Sequence, residues 1–570
     1  MTVQHIALVA LFVGLGIACN EGGDARTSAN GAETDGGETD QPDDGADDGV
    51  DDTGTGSTDE DDDGLEFDPA PAVLPRLTTR QYRNSVEALL GEALPPLNVE
   101  PDTNPYLFYS IGATTTTLSE LGVQMYEEAA ETAATAVFDD ATRRAELVGC
   151  TPATPGDSCV SEFISSFGRR AYRRPLTSVE FERWTGIATD LAEGDPWQGL
   201  RMAVSGMLQS PNFLYRVELG EPDPEDPTML RYTGYEMASR LSFLLWNVAP
   251  DDELLDAAQA GDLMTTEGLT AHVERMLDGP EARTAVQDFF GQYFDLGRLN
   301  GLTRDPTTYP LFSSSLPESM RNEIRLLVDD FVFRRDEDIR KIFSTRTTFV
   351  NDDLAELYGV TAPGATAISF VAVELPEDGP RAGMLTSAAF LAMNAHETEN
   401  SPTLRGKYIR ERVLCQPVPP PPDDVDTTIP PDTGEGTTLR ERLEAHRENP
   451  ECAACHAFID PPGFLFEHFD PIGVYRTEDN GYPIDASGEL DGVVLDGAAD
   501  LAALLGEDPR VGRCVAIQLF RHANGRLEQD GELTAIADID DRFSARGYRF
   551  RELLIELVTH DAFRTVGLPQ

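Results

Sequence analysis

The feature that most restricts what this chain can become is the string Cys452-Ala453-Ala454-Cys455-His456. Two cysteines separated by two residues, with histidine directly after, form the attachment signature of a c-type haem. The spacing follows from the chemistry. Each thiol adds to one haem vinyl group, and the adjacent imidazole reaches the iron from one side. With 7 cysteines and 8 histidines in 570 residues, chance would produce this string about 0.001 times. A redox CxxC pair or half of a zinc site are the competing readings, but a zinc ribbon needs a second ligand pair and the chain has no second CxxC. Cys452 and Cys455 are therefore expected to carry one covalent haem c, with His456 as an axial iron ligand.

The opposite face of the iron is less determined. A simple cytochrome c takes a methionine downstream of its motif, and this chain has no methionine after Met393. The remaining candidates are Met384 and Met393 upstream, and His396, His446, His468 and His522. A vacant sixth position is the further alternative, and it would admit peroxide or dioxygen.

The N-terminus reads as an export signal. Ile6 to Ile17 is apolar but too short to span a bilayer comfortably. It ends in Gly16-Ile17-Ala18-Cys19, small residues before a cysteine, as at a bacterial lipoprotein cleavage site. Cys19 is the expected lipidated residue, with simple secretion as the alternative. From Glu21 to Ala70 there are 19 acidic residues against the single Arg26. Such a stretch cannot bury enough apolar surface to offset its ordering entropy, so an extended acidic linker is expected over 20–72. The net charge of −57 argues against nucleic acid or an anionic membrane face as partner.

Export permits disulfides. Setting Cys19, Cys452 and Cys455 aside leaves Cys150, Cys159, Cys415 and Cys514. Cys150 and Cys159 flank a turn-rich octapeptide and are expected to pair. Cys415 with Cys514 would then encircle the haem motif, unless either stays a buried thiol.

Beyond Leu74 the pattern is mainly α. Apolar residues recur at helical spacing in 79–90, 119–138, 163–172, 179–191, 199–208, 235–246, 253–260, 270–277, 282–293, 318–333, 381–393, 406–414, 439–447, 511–521 and 548–559. Thr78 or Thr79 and the Asp251-Asp252 pair are expected caps, and Asn524-Gly525 an expected stop. Asp485 and Glu489 flank Ser487-Gly488 in an expected turn. Arg169, Arg170, Arg173 and Arg174 form the one basic cluster. It could dock an acidic partner or haem propionates, but internal ion pairing is the plainer reading. No nucleophile elbow, HExxH or phosphate loop is present.

Several blocks together resemble the exported multidomain proteins of planctomycetes and myxobacteria, in which domains of unknown function accompany a planctomycete cytochrome C-type domain. The blocks are Leu77 to Asn84, Phe167 to Leu176, Ala238 to Trp246, Ser401 to Lys407, Cys452 to Gly473 and Asp485 to Leu490. The resemblance implies helical domains in series, at 73–140, 160–222, 229–360, 380–480 (the haem domain) and 488–565, behind a signal peptide at 1–19. It also implies a haem, and little about catalysis. The family tends to place a methionine just before the Asp-Pro that follows the motif. Here that position is Ile459.

Three functions remain open from sequence. The first is a lipid-anchored c-type cytochrome of the cell envelope (periplasm or outer-membrane surface), passing electrons to a redox partner protein. The second is a haem-dependent oxidoreductase with an open iron site, acting on peroxide or an organic substrate. The third is a surface binding or scaffold protein with an accessory haem domain.

Overall fold

The computed structural model describes residues 67–224, 226–419, 438–446 and 450–568. The expected signal peptide with Cys19, and the acidic linker up to residue 66, lie outside the described residues, as does the side chain of His446. Helices dominate, and they start where the sequence offers caps. Thr78 accepts the Gln81 N–H and Gln81 reciprocates, opening helix Thr79–Leu90. Thr177 with Glu180, and Thr233 with Glu236, repeat this capping box at Ser178–Asp190 and Gly234–Leu245. Asp251 caps Asp252–Ala260.

Two large apolar cores result, beside a small cluster of Leu439, Leu443 and Phe464. One gathers residues from Leu77 to Ala249, with helices Glu120–Phe138, Ser158–Ala171 and Pro196–Leu208 facing inward. The larger runs from Leu107 to Val566 and takes in Gly234–Leu245, Pro280–Tyr293, Leu316–Asp329, Pro509–Asn524 and Phe550–Thr559. Helix Gly234–Leu245 serves both: Phe243 belongs to the first, Met237 and Leu241 to the second. Sheet is confined to small antiparallel pairings, one of which joins Leu230–Arg231 to Thr565–Val566 near the C-terminus. Among the described residues no helix is long and apolar enough to cross a membrane.

Both expected disulfides are present, Cys150–Cys159 and Cys415–Cys514. The second joins the segment after Pro402–Tyr408 to the middle of Pro509–Asn524.

Three local expectations are corrected. Residues 381–393 are not one helix. Gly383 has φ +63°, and a Cβ there would collide with the Phe343 backbone, so the chain turns through Met384–Thr386. Ser387 then caps a new helix, Ala388–Met393. Residues 487–490 are a strand, not a turn. Asp485 accepts the Ser487 N–H at 2.9 Å, and Ser487–Leu490 pairs with Val493–Asp496. The reversal lies at Asp491-Gly492, both at positive φ, as a tight hairpin requires. Finally, helix Leu316–Asp329 passes into a π-type segment, Asp330–Arg335, instead of continuing as α-helix to Phe333.

Candidate functional site

The motif lies within helix Pro450–Phe464. Cys452, Cys455 and His456 stand at i, i+3 and i+4, so the two sulfurs and the imidazole share one face. Neither thiol is in a disulfide. Cys452 is buried and Cys455 half-buried.

This helix contains Pro461 and Pro462, which ordinarily break one. Its neighbours hold it in shape. Pro462 has no N–H, so the Phe458 carbonyl four residues earlier loses its partner. Arg410 Nε supplies the replacement at 3.1 Å, and the same guanidinium lies 3.9 Å from the Phe458 ring centre. Arg410 is itself fixed by Gln416 and by Asp491 at 2.6 Å. Helix Pro402–Tyr408 crosses the motif helix at backbone contact. Gly406 lies against the Ile459 carbonyl and Gly463 against the Pro402 carbonyl, and a side chain at either would overlap that oxygen. Ile459 thus presents its carbonyl to the crossing and buries its side chain.

The crossing sets the histidine. His456 Nδ1 donates to Asp460 Oδ2 at 2.9 Å, one turn along the helix. Asp460 is fully buried, and its other oxygen accepts from Thr403 Oγ1 at 2.8 Å. A chain of contacts therefore runs from Thr403 through Asp460 to His456. It fixes the imidazole through Nδ1. Nearby, Arg405 is fully buried and donates to the carbonyls of Phe466 and Phe469 at 2.9 and 3.2 Å, moulding the loop after the helix. Burial pushes the Arg405 guanidinium down to about 10. Burial raises the partner carboxyl of Glu467 above its usual range, against the pull of Arg405.

The candidates for the sixth position separate. The His396 loop is tied to this neighbourhood: Glu399 pairs with Arg442 at 2.7 Å, and Leu443 on that helix packs with Phe464. His396 itself is exposed. Met393 ends the helix leading into the loop and is 5% exposed, while Met384 is 2% exposed in the large core. His468 is committed elsewhere, Nδ1 to the Arg476 carbonyl at 2.9 Å and its ring stacked on Tyr475. His522 packs against Phe108 and Phe289, away from the elements that hold the motif helix. It does not cap its helix, which ends on Gly525 at φ +65°. The side chain of His446 is outside the described residues. The basic cluster is spent internally: Arg169 pairs with Asp252 and Asp256, Arg174 with Glu180, Arg170 reaches the Ala88 carbonyl, and buried Arg173 reaches the carbonyls of Asn212, Phe213 and Tyr215.

Sequence reasoning missed Thr403, Asp460 and Arg410. The His456/Asp460 spacing of four was visible, but it has meaning only once the segment is known to be helical.

Five family models match along the chain, each described as a protein of unknown function. DUF1587 matches residues 76–139, DUF1595 residues 159–218 and DUF1592 residues 232–360. DUF1588 matches 381–479 and DUF1585 matches 491–563. The chain belongs to the planctomycete cytochrome C-type tandem-domain family. The DUF1588 model, with the short name PSCyt3, contains both the motif and the helix that crosses it. In this family member the crossing joins two blocks, Ser401 to Lys407 and Cys452 to Gly473, that are 45 residues or more apart in sequence. No curated protein and no solved structure matches the chain.

Proposed function

We propose that this protein is an extracytoplasmic c-type haem protein that transfers electrons, held to the envelope through a lipid on Cys19. Cys452 and Cys455 would form the two thioether bonds, and His456 Nε2 would be the axial ligand. The observation that carries the reading is the Thr403–Asp460–His456 chain beside two unpaired thiols on one helical face. Ligating histidines almost always give their other ring nitrogen to a carboxylate or carbonyl, which fixes the ring. The residues present therefore fit the group. When bound, the haem supplies reversible one-electron transfer. The chain's own part is to hold the imidazole, bury one thiol and keep the motif segment helical through two prolines.

One observation favours a second reading. A buried carboxylate behind the axial imidazole makes it a stronger donor, which also suits a haem-dependent oxidoreductase with an open site. An optical spectrum of the purified protein, oxidised and reduced, with and without carbon monoxide, decides between them. A reduced c-type band indifferent to carbon monoxide is the expected result for electron transfer. A spectrum that shifts with carbon monoxide moves the assignment to the oxidoreductase. The C452S/C455S variant is expected to lose haem on denaturing electrophoresis. Haem that stays bound to that variant refutes the attachment.

A further inference from the structure

A second set of contacts reaches the motif helix from the C-terminal part of the chain. The hairpin of Ser487–Leu490 and Val493–Asp496 meets it at two levels. Gly488 lies against the Pro461 carbonyl, where a side chain would overlap that oxygen. At the turn, Asp491 Oδ1 accepts from Arg410 Nη1 at 2.6 Å, and Arg410 Nε holds the Phe458 carbonyl at 3.1 Å. Asp491 is the first residue that DUF1585 matches. The contact therefore ties the C-terminal domain to the helix that carries the motif.

The charges continue beyond Asp491. Its Oδ2 accepts from Arg510 Nη1, and Arg510 is gripped in turn by the Asp508 carboxylate at 2.6 Å. Asp508, Arg510, Asp491 and Arg410 thus alternate in sign, and the row ends on a backbone carbonyl of the motif helix. Arg410 is buried, whereas Asp491 and Arg510 keep more than a third of their side-chain surface in solvent. Partial burial pushes the Asp491 carboxyl up, and the hydrogen bonds from Arg510 and Arg410 bring it below its usual range. The Cys415–Cys514 bridge joins the same two segments a few residues farther along each.

Neither Asp491 nor Arg510 is called for by its own element. Arg510 stands in the first turn of helix Pro509–Asn524, where the helix dipole disfavours a cation. The turn at Asp491-Gly492 needs positive φ, which asparagine adopts as readily as aspartate. The row also meets the motif at a defined place. Phe458 follows Cys455 by three residues, on the same side of the helix, and the Arg410 guanidinium lies over its ring.

We propose that Asp491 is a positioning residue for the motif. It locks Arg410 onto the Phe458 carbonyl, and through this pair the C-terminal domain fixes the helix beside Cys455 and sets the field felt by the proposed haem. The effect on potential rests on the haem reading above; the positioning stands without it.

Asp491→Asn keeps the turn and deletes one negative charge, and Arg410→Gln deletes one positive charge. In potentiometric titration of the haem-loaded full chain, the first should raise the midpoint potential and the second should lower it, because reduction adds an electron. Arg410→Lys, which keeps the charge, should lie nearer wild type than Arg410→Gln. If the two residues only pack, both variants admit water and shift the potential in one direction. Shifts of the same sign, or none, overturn the control of the field. In the full chain produced without haem maturation, iodoacetamide should alkylate Cys455 about tenfold faster in Arg410→Gln, and also faster in Asp491→Asn, since losing a charged hydrogen bond eases local opening. Rates equal to wild type overturn the positioning. A wild-type chain that takes up no haem under maturation refutes the haem reading, and the alkylation rates then decide the inference alone.

Discussion

Helices Pro509–Asn524 and Pro450–Phe464 are nearly equal in length, 16 and 15 residues, and both open on proline. They are specified in opposite ways. The first carries its instructions locally. Asp508 caps it, Val511, Val515, Leu519 and Phe520 form its buried face, and Gly525 ends it in the left-handed region. The second has two internal prolines and no regular apolar stripe. Its shape comes from a crossing helix that fits only through Gly406 and Gly463, from Arg410 replacing a lost backbone donor, and from Thr403 holding Asp460. Propensity is a weak prior that packing overrides. In this chain the helix shaped by its surroundings is the one that carries the Cys-x-x-Cys-His motif. The orientation of His456 is therefore a property of residues 401–410 as much as of the motif.

The largest expected effect tests whether the two helices depend on one another. Cys415–Cys514 closes a loop of sequence separation 99 and joins the segment after the crossing helix to the locally specified one. The C415S/C514S variant should lose about 4–5 kcal/mol in chemical denaturation. Amide exchange should accelerate more in 450–464 than in 509–524. Equal loss in both would erase the distinction.

Next is Gly406→Ala, where the new methyl meets the Ile459 carbonyl. A cost of about 3 kcal/mol is expected. Gly525→Ala, at a left-handed cap where the new methyl also meets Thr114 Oγ1 and the Ser110 carbonyl, should cost about 1–2 kcal/mol. Urea melts of the pair give the comparison directly, and a smaller loss at Gly406 would mean that the crossing can slide.

The third effect is pH-dependent and belongs to the locally specified helix. His522 titrates at about 4 in the fold against an ordinary 6.5, because it is buried. The unfolded chain binds the proton more readily, so this stability is present above pH 6.5 and is lost as pH falls through about 4. His522→Phe keeps an aromatic ring against Phe108 and Phe289 and should flatten that part of the profile, by about 3 kcal/mol between the two limits. An unchanged slope in the difference between variant and wild type would refute the assignment.

The smallest effect on stability is expected from Asp460→Asn, below about 1 kcal/mol, since the amide oxygen can still accept from His456 or Thr403. Its signature is spectroelectrochemical. A weaker acceptor lowers the donor strength of the imidazole, so the midpoint potential should rise with haem content unchanged. A potential that does not move would show that Asp460 only packs.

These contrasts also explain what could be read in advance. Caps at Thr78 and Asp251, the stop at Gly525 and the Cys150–Cys159 disulfide follow from short-range signals, and they appear where the sequence places them. No helical reading covered 450–464, because its support lies in residues more than forty positions away. The hairpins at Asn480-Gly481 and Asp491-Gly492 did carry a local signal, two residues at positive φ with glycine second. Their flanks are too short and too polar to alternate, so the signal had no strands to attach to. Arginine is rarely fully buried, yet Arg405 is. It is buried because only a guanidinium could satisfy several carbonyls of one loop at once.

The order of the cysteines along the chain has a consequence for biogenesis. Cys150 and Cys159 are neighbours in that order, whereas Cys415 reaches past Cys452 and Cys455 to join Cys514. An oxidase acting on thiols as they emerge from a translocon would meet Cys452 before Cys514 and close the wrong ring. The native bridge has to wait for the last hundred residues or be reached by thiol–disulfide exchange. On the haem reading, the two central thiols would meanwhile have to be kept reduced or capped. If the chain is exported and takes haem as proposed, its correct assembly is a matter of timing between two enzymatic systems, one that oxidises thiols and one that alkylates them.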